Sequence, residues 1–488
     1  MKAAAQQALD ATSARGVTYA DARAVAMRNR SLSTKNGRVG HASESESLGI
    51  GVRVIADGAW GFAASSDLSR ASLAAAAERA VAIARASARV KRENVRLAPE
   101  APAVADWTTP YKVDPFSTSV EENIDLLLKA DAEMNAVAGV TLAETGMNFL
   151  REESWFLSSE GADIHQTKYS TGGGCTAYAF AASEIQKRSY PNSFGGQWQN
   201  RGYEQIEEMK LLENARRVGE EAVALHSAEQ CPEGAFTIVL DGSQLGLQIH
   251  ESVGHPIELD RVLGMEANFA GTSFLTLEKL GKLRYGSEIV NVVADARQEH
   301  GPGLGTFAYD DEGVPAQSTP IITNGRFTGY LSSRETAHTI NATRSGGTLR
   351  AEGWNRLPMI RMTNVSILPG EEPLTLEQLI ASTGDGIYME TNKSWSIDDK
   401  RYNFQFGCEI AWEIKNGKRV RMLKNPSYSG ITTEFWNSMD AICSRDEWTL
   451  WGTPNCGKGQ PQQVVGTGHG ASPARFRNIR VGSAYKGS

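Results

Sequence analysis

The sequence predicts an α+β protein: an α/β N-terminal domain, a middle domain of helices and strands, and a β-rich C-terminal domain that carries a short metal-binding helix. Helical patterns in the first two parts, aromatic strand alternation in the middle, and hairpin turns in the last part support this class. With 488 residues, the chain is long enough for two or three domains. We place them at 1–96, 119–230 and 231–488, with a linker at 97–118.

The predicted N-terminal domain combines helices with a hairpin. Residues 2–14 have a helical pattern, and the Ala-rich stretch 69–89 with its Glu and Arg residues is a strong helix former. Between them, apolar residues alternate with smaller or polar ones over 48–54, which indicates a strand. Asp57-Gly58 then predicts a hairpin turn into the next strand. The linker is inferred from its Pro and Ala content.

The predicted middle domain opens with Ser119-Val120-Glu121-Glu122, which is a helix-start signature. The helix should continue to about residue 136. Strands with aromatic alternation should occupy about 140–200, and a Glu-rich helix 203–227. The run Gly172-Gly173-Gly174 predicts a bend; it lacks the Lys and Ser/Thr of a phosphate-binding loop.

Strand signals dominate the predicted C-terminal domain. Residues 237–240 form a buried-strand run that ends at Asp241-Gly242. Asp241 offers N-cap chemistry for a short helix that follows at once. Asn324-Gly325 and Asn416-Gly417, each flanked by apolar alternation, predict two hairpins.

The short helix contains the most informative stretch of the chain, His250-Glu251-Ser252-Val253-Gly254-His255. Two imidazoles can bind a divalent metal, and the adjacent carboxylate can take a proton from metal-bound water. In the familiar H-E-x-x-H pattern the histidines share one helix face. Here the second histidine is one residue later, so on a regular helix the imidazoles would diverge by roughly 140°. A metal site therefore requires a widened turn or a helix that ends at His255, which Pro256 favours.

Two histidines do not complete a catalytic zinc site, because three protein ligands plus water is the usual number. The candidates are Cys456, His469, Glu258 and the other cysteines. Cys456 lies in a Pro- and Gly-containing stretch that predicts an exposed loop, and Lys458 would favour its thiolate. An ordinary loop thiol is the competing interpretation. Glu258 can orient a ligand or bind the metal itself. His469, in a Gly-rich loop, is more simply a solvated surface histidine.

These residues carry a resemblance: the sequence resembles the TldD/PmbA family of metallopeptidases, also called the modulator-of-DNA-gyrase family. The resemblance covers nearly the whole chain and is strongest from about residue 232. The matching segments occur in the family's order. They are H-E-S-V-G-H-P-I-E-L-D at 250–260, Asp310-Asp311-Glu312-Gly313, Leu357-Pro358-Met359, Arg361-Met362-Thr363-Asn364 and Asn455-Cys456-Gly457-Lys458. The stretches 395–406 and 436–451 fit the family's pattern less well.

The resemblance implies that His250, His255 and Cys456 bind the metal and that Glu251 is the catalytic base. The family's second branch lacks the metal motif and is non-catalytic, so this chain resembles the catalytic branch. Zn²⁺ suits two imidazoles and a thiolate, with other divalent metals left open. The resemblance further implies an unfolded or short peptide as substrate. It also implies a homodimer, or a heterodimer with a metal-free relative.

Composition further restricts the kind of protein and the partners that we expect. The chain is 41% hydrophobic and 22% charged, which is typical of a soluble globular protein. Its net charge is −7 and it has no long basic run, so we predict no nucleic-acid partner. The odd number of cysteines without a C-x-x-C motif predicts no structural disulfides. Since no signal-peptide core or membrane-spanning run occurs, we expect a cytoplasmic protein with no membrane partner.

Two other functions stay open at this stage. The chain could be a non-catalytic regulatory or maturation partner, whose structural metal would be closed by a fourth ligand, His469 or Glu258. It could also be a thiol hydrolase that uses Cys456 and His469, although this leaves the pair of histidines in the short helix unexplained.

Overall fold

The α+β class is confirmed by a computed structural model, which describes residues 1–14, 16–181 and 184–482. Its α-helices are α1 (Lys2–Asp10), α2 (Arg70–Ala88), α3 (Val120–Asn135), α4 (Glu204–Met209), α5 (Leu211–Ser227), α6 (Gly242–Ile249), α7 (Leu259–Val262), α8 (Ala267–Ala270), α9 (Leu376–Ala381) and α10 (Thr432–Asn437). In the described part of the chain, no helix is long and apolar enough to cross a membrane.

The first 200 residues contribute the strands of one large sheet. These strands are β1 (Val17–Lys35), β2 (Arg38–Ala56), β3 (Ala59–Ser65), β4 (Val104–Thr108), β5 (Leu142–Ser158), β6 (Asp163–Ala181), β7 (Glu184–Tyr190) and β8 (Gln197–Gln199). The order is β3-β2-β1-β5-β6-β4, with β7 and β8 also paired to β6. Because β1 pairs with β5 along most of its length, the first two predicted domains share this sheet. The predicted linker contains β4, which runs parallel to β6, and the domain boundaries stay a prediction.

Helices cover the large sheet with small apolar side chains. Those of α1 and α2, such as Ala8 and Ala80, pack with Ile50 and Val52 of β2 in one buried cluster. Helices α3 and α5 cover the half of the sheet built from β5 and β6. The predicted start of α3 is confirmed: Ser119 and Glu122 form a reciprocal capping box. The single helix predicted at 203–227 is instead two, which meet at Lys210 in a left-handed conformation.

The remaining strands build the C-terminal region. They are β9 (Glu229–Gln230), β10 (Gly234–Leu240), β11 (Val292–Asp295), β12 (Ser318–Thr323), β13 (Arg326–Phe327), β14 (Leu349–Arg350), β15 (Met359–Ile360), β16 (Asn364–Ile367), β17 (Gly386–Ile397), β18 (Asn403–Lys415), β19 (Lys418–Lys424), β20 (Ser427–Ile431), β21 (Met439–Ile442), β22 (Thr449–Lys458), β23 (Gln463–Ala471) and β24 (Ala474–Val481). The high strand content of this region agrees with the predicted β-rich C-terminal domain.

Two sheets of this region enclose the short helix α6. One has the order β17-β10-β24-β20-β18-β19-β9, and the other the order β13-β12-β11-β16-β23-β22. Helix α6 follows β10 directly and contacts β17 of the first sheet and β22 and β23 of the second. Its apolar residues Leu245 and Ile249 belong to the largest buried cluster of the described residues, together with Trp436 and Phe476. The predicted metal-binding motif therefore lies in the core between the sheets.

The predicted hairpin turns are confirmed. Asn324-Gly325 joins β12 to β13, and Asn416-Gly417 joins β18 to β19. In both turns the Asn and the Gly have positive φ, from 48° to 74°. This is the conformation that makes Asn-Gly the preferred pair in two-residue hairpins.

The glycine run in the middle of the chain is not the predicted bend. Gly172 to Gly174 lie inside β6, where Gly172 pairs with Asn148 of β5 and with Trp198 of β8. A Cβ atom on Gly172 would come within 2.2 Å of the Trp198 indole, and one on Gly174 within 2.6 Å of the Gly196 Cα. The glycines therefore permit a close approach of the β8 segment to the sheet, which is a usual reason for glycine inside a strand.

We expect Gly172→Ala to lower the free energy of unfolding by about 1–3 kcal/mol, because the new methyl group overlaps the Trp198 ring. Thermal unfolding followed by circular dichroism measures this as a lower midpoint. Gly40→Ala in the exposed part of β2 is the matched control, since its nearest atom would lie 3.4 Å away. Equal midpoints for the two variants would contradict the packing described here.

Candidate metal centre

The metal-binding motif begins inside a well-capped helix. The Asp241 carboxylate accepts hydrogen bonds from the backbone N–H groups of Ser243 and Gln244, at 2.9 and 3.1 Å. This N-cap satisfies donors that would otherwise be unpaired at the start of α6. The strand-to-helix junction thus fixes the direction in which the motif enters the core.

The helix then widens where the first histidine occurs. Residues His250–Gly254 form a π-helical turn, and a 3₁₀ turn, His255–Ile257, follows. The backbone N–H of His255 donates to the carbonyl of His250, which closes the wider ring of a π-turn. Residues five apart then align, and the two imidazole centroids lie 4.8 Å apart. This is the widened turn that the spacing of the histidines requires.

Gly254 allows the widened turn to pack against its neighbour. A Cβ atom at this position would come within 2.0 Å of the Met362 Sδ atom. Met362 is fully buried and lies just before β16. The glycine is therefore needed for space, since its backbone conformation is ordinary helical (φ −61°).

Cys456 reaches the histidines from a buried strand. It lies in β22 and pairs with Val465 of β23, after an irregularity in the register that follows Thr453. Its side chain is not in the exposed loop that the sequence predicts, because the residue is only 2% exposed. The Sγ atom lies 3.9 Å from His255 Nε2. Among the described residues, His250, His255 and Cys456 form the group whose potential ligand atoms all lie within 4.8 Å of one another.

His469 sets the tautomer of His250. It lies in β23, is 1% exposed, and is not the solvated histidine that the sequence suggests. Its Nδ1 is 3.0 Å from the Val365 carbonyl, which can only accept, so we assign the proton to Nδ1. His469 Nε2 then accepts from His250 Nδ1 at 2.7 Å. His250 Nε2 is left without a proton and can bind a metal.

Glu258 has the same effect on His255. The Nδ1 atom of His255 donates to Glu258 Oε2 at 3.0 Å, so Nε2 is the unprotonated nitrogen that faces Cys456. Burial lowers the pKa of His250 and lowers that of His255 well below its ordinary value. Both imidazoles are therefore neutral, as metal binding requires.

The thiolate of Cys456 is favoured by Arg361. Burial raises the pKa of the thiol, but the Arg361 charge and contact with His255 outweigh this and lower it overall. Arg361 is completely buried, and its guanidinium donates to the backbone carbonyl of Cys456. Lys458, which the sequence suggested for this role, points elsewhere: its Nζ donates to Asp260 and to the Ile360 carbonyl, both at 2.7 Å. The donor set of two neutral imidazoles and one thiolate fits a zinc ion.

A buried ionic cluster supports the two sides of the site. Lys458 Nζ lies 3.4 Å from Glu258 Oε1 and 3.9 Å from Glu266, while Arg261 Nη2 lies 3.0 Å from Glu266. Burial and the neighbouring carboxylates raise the pKa of Glu266 to about 7. The cluster links the strand that carries Cys456 to the carboxylate that orients His255.

Glu251 follows His250 in the π-turn and is held by an arginine from the turn between β17 and β18. Its Oε2 accepts from Arg401 Nη1 at 2.6 Å. Sequence reasoning missed both Arg401 and Arg361, because arginine is not a metal ligand. Arg361 lies in one of the segments that resemble the family, and this could have indicated a role at the site. Arg401 lies in a stretch that fits the family's pattern less well, so the sequence offered no such indication.

The structure also bears on the two rival functions. His469 uses Nδ1 on a carbonyl and Nε2 on His250, and Glu258 bonds the outer nitrogen of His255, so neither faces the three ligand atoms. These contacts therefore do not form a closed structural site with either residue as the fourth ligand. Cys456 Sγ faces His255 Nε2 at 3.9 Å, whereas the ring nitrogens of His469 face Val365 and His250, so these contacts do not support a Cys456–His469 pair.

Family models match most of the chain. They are described as the PmbA/TldA metallopeptidase domain 1, central domain and C-terminal domain, and they match residues 20–84, 113–226 and 233–483. The chain belongs to the PmbA/TldD metallopeptidase family.

Relatives in this PmbA/TldD family are named as metalloproteases. A metalloprotease of Methanothermobacter thermautotrophicus is 31% identical over 96% of both chains. A metalloprotease of Methanocaldococcus jannaschii is 29% identical over 93% of this chain and 95% of its own. A metalloprotease TldD homolog of Haemophilus influenzae is 27% identical over 97% of this chain and 94% of its own.

Solved structures share the PmbA/TldD fold at lower identity. A Thermotoga maritima protein described as a modulator of a DNA gyrase has a TM-score of 0.76 at 17% identity, over 99% of this chain and 100% of its own. TldE from Thermococcus kodakarensis has a TM-score of 0.73 at 15% identity, over 98% and 100%. At these identities the likeness concerns the fold alone.

We expect Glu258→Gln to lower metal affinity by about 10- to 100-fold, the usual effect of losing a partner that orients a ligating histidine. The amide no longer offers a carboxylate to His255 Nδ1, and it leaves Lys458 with less compensating charge. Competition with a chromogenic chelator measures the affinity. Glu288→Gln, at a carboxylate whose side chain is 83% exposed, is the control. An unchanged affinity would contradict the assigned role of Glu258.

Proposed function

We propose that the chain is a zinc-dependent peptidase in which His250, His255 and Cys456 hold the metal and Glu251 is the general base. One observation carries the proposal: two neutral imidazoles and a thiolate converge at the π-turn that also bears the carboxylate. The names of its relatives support a metal-dependent peptidase in general terms. When bound, the metal would supply Lewis-acid chemistry that polarises a peptide carbonyl and makes water more acidic.

The chain's own residues account for the proton transfers. Arg401 bonds Glu251 Oε2, which leaves Oε1 to take a proton from the attacking water. The same oxygen would then give the proton to the leaving amine. Because the carboxylate and the ligand set share one turn, their relative positions are fixed before a substrate arrives, which is the usual basis of positioning in catalysis.

The burial of the site favours extended substrates. His250, His255 and Glu251 are between 4% and 6% exposed. A folded protein could not bring a peptide bond to such a position, whereas an unfolded or short peptide could enter in an extended form. We therefore propose unfolded or short peptides as substrates.

We also propose that the chain acts as a dimer, paired with a second copy or with a metal-free relative. The second pairing rests on the resemblance to the TldD/PmbA family, whose metal-free branch is a non-catalytic subunit. A cytoplasmic location fits the cysteines, which are all buried and free.

We expect Glu251→Gln to lower kcat on an unfolded peptide by about 100- to 10,000-fold, the contribution of a general base. The variant should keep its metal, because the ligand atoms are untouched. Peptide cleavage is measured by mass spectrometry beside metal content, with Glu288→Gln as the matched control.

Two results would contradict this proposal. A Glu251→Gln variant that cuts at the rate of the unaltered protein would remove the assigned base. Unaltered protein that leaves peptides intact, but melts at a lower temperature after chelation, would instead show that the metal is structural.

A further inference from the structure

We propose that Arg401 is a catalytic residue that binds the carbonyl oxygen of the scissile peptide bond and stabilises the charge that develops there. This inference rests on the proposed peptidase function and adds the oxyanion donor that the sequence did not reveal. Three features of Arg401 support it: the position of the guanidinium, the donors that no protein group uses, and the backbone conformation of the residue.

The guanidinium contacts the proposed base. Arg401 Nη1 bonds Glu251 Oε2 at 2.6 Å, and its side chain is 15% exposed. Arg401 therefore lies where the attacking water and the substrate carbonyl would meet at Glu251.

Arg401 keeps donors that no protein group uses. Its Nε is buried and has no hydrogen-bond partner among the described residues. A buried guanidinium donor without a partner is costly, and binding an acceptor there would remove that cost. A carbonyl oxygen is such an acceptor, and one that becomes negatively charged would bond a guanidinium more strongly still.

The neighbouring cations are less accessible to a substrate than Arg401. Arg361 is completely buried behind Cys456, and its Nη atoms donate to backbone carbonyls of Cys456 and Gln463. Lys458 is also completely buried and lies among carboxylates. Of these three, Arg401 is the one that a substrate can reach.

The backbone at Arg401 is held in an unusual conformation. Its φ is +63°, in the left-handed region that residues other than Gly and Asn seldom adopt. Its N–H donates to the Asp398 carbonyl at 2.9 Å, and its carbonyl accepts from Thr432 Oγ1 at 3.0 Å. The Asp399 carbonyl accepts from Thr272 N–H at 3.0 Å, which ties the hairpin tip to the segment after the metal-binding turn. These contacts fix the backbone from which the guanidinium projects, and such strain is common at functional sites.

In the proposed step, one water molecule is consumed for each peptide bond that is cut. The water oxygen bonds to the carbonyl carbon while its proton passes to Glu251, and the carbonyl electron pair moves onto the oxygen held by Arg401. When the oxyanion collapses, the carbon–nitrogen bond breaks and the amine leaves with the proton from Glu251. The products are an amine and a carboxylic acid.

Arg401→Gly tests this role without adding backbone strain, because glycine accepts a positive φ. We expect kcat on an unfolded peptide to fall by about 100- to 1,000-fold, as when one oxyanion donor is removed. KM should change little and metal content should stay equal to that of the unaltered protein. Guanidinium chloride at millimolar concentration should restore part of kcat, since it can occupy the space that the side chain vacates.

Lys400→Gln is the matched control, because it removes the same charge from an exposed neighbour on the same hairpin tip. It should keep full activity and show no response to guanidinium. An Arg401→Gly variant with unchanged kcat would overturn the role of Arg401 while the peptidase function stands. Loss of metal, an effect confined to KM, or no rescue by guanidinium would also overturn it. Unaltered protein without peptidase activity would overturn both proposals.

Discussion

The π-helical turn His250–Gly254 is the feature on which the rest of the site depends. A regular α-helix would place the imidazoles of His250 and His255 on different faces, whereas the wider turn aligns residues that are five apart. The turn is confined between two sheets, and Gly254 lets it pack directly against Met362. Core packing thus holds a backbone geometry that is rare in isolated helices, and the same turn carries Glu251, which follows His250.

The imidazole tautomers, the thiolate and the orientation of Glu251 depend on surrounding groups, most of which are distant in sequence. His469 and Glu258 accept from the outer nitrogens of the imidazoles, Arg361 favours the thiolate, and Arg401 bonds Glu251. Because His469, Glu258 and Arg361 are buried, their interactions are strong, and each would be costly if its partner were missing. The site therefore requires the whole C-terminal region to be folded, and its ligands are prepared for a metal by the protein itself.

Much of this could be predicted from sequence, and the failures have common causes. Capping residues, hairpin turns and amphipathic helices are local signals, and α3 and the two Asn-Gly turns lie where they were expected. The histidine spacing was a local signal as well. Gly172, Cys456 and His469 were misjudged because local composition suggested loops, whereas strand pairing places all three inside sheets. Arg361 and Arg401 reach the site from segments far along the chain. Neither lies at a fixed spacing from the histidines that a single sequence could reveal.

The central claim is that Cys456 completes a metal site with the two histidines. The most direct test is elemental analysis of the purified protein beside Cys456→Ala, with Cys443→Ala as a control. Cys443 is equally buried, but burial raises the pKa of its thiol to about 12, so it is not a thiolate ligand. The account predicts about one zinc per chain in the unaltered protein and in Cys443→Ala, and loss of the metal in Cys456→Ala. Zinc retained in full by Cys456→Ala would contradict it.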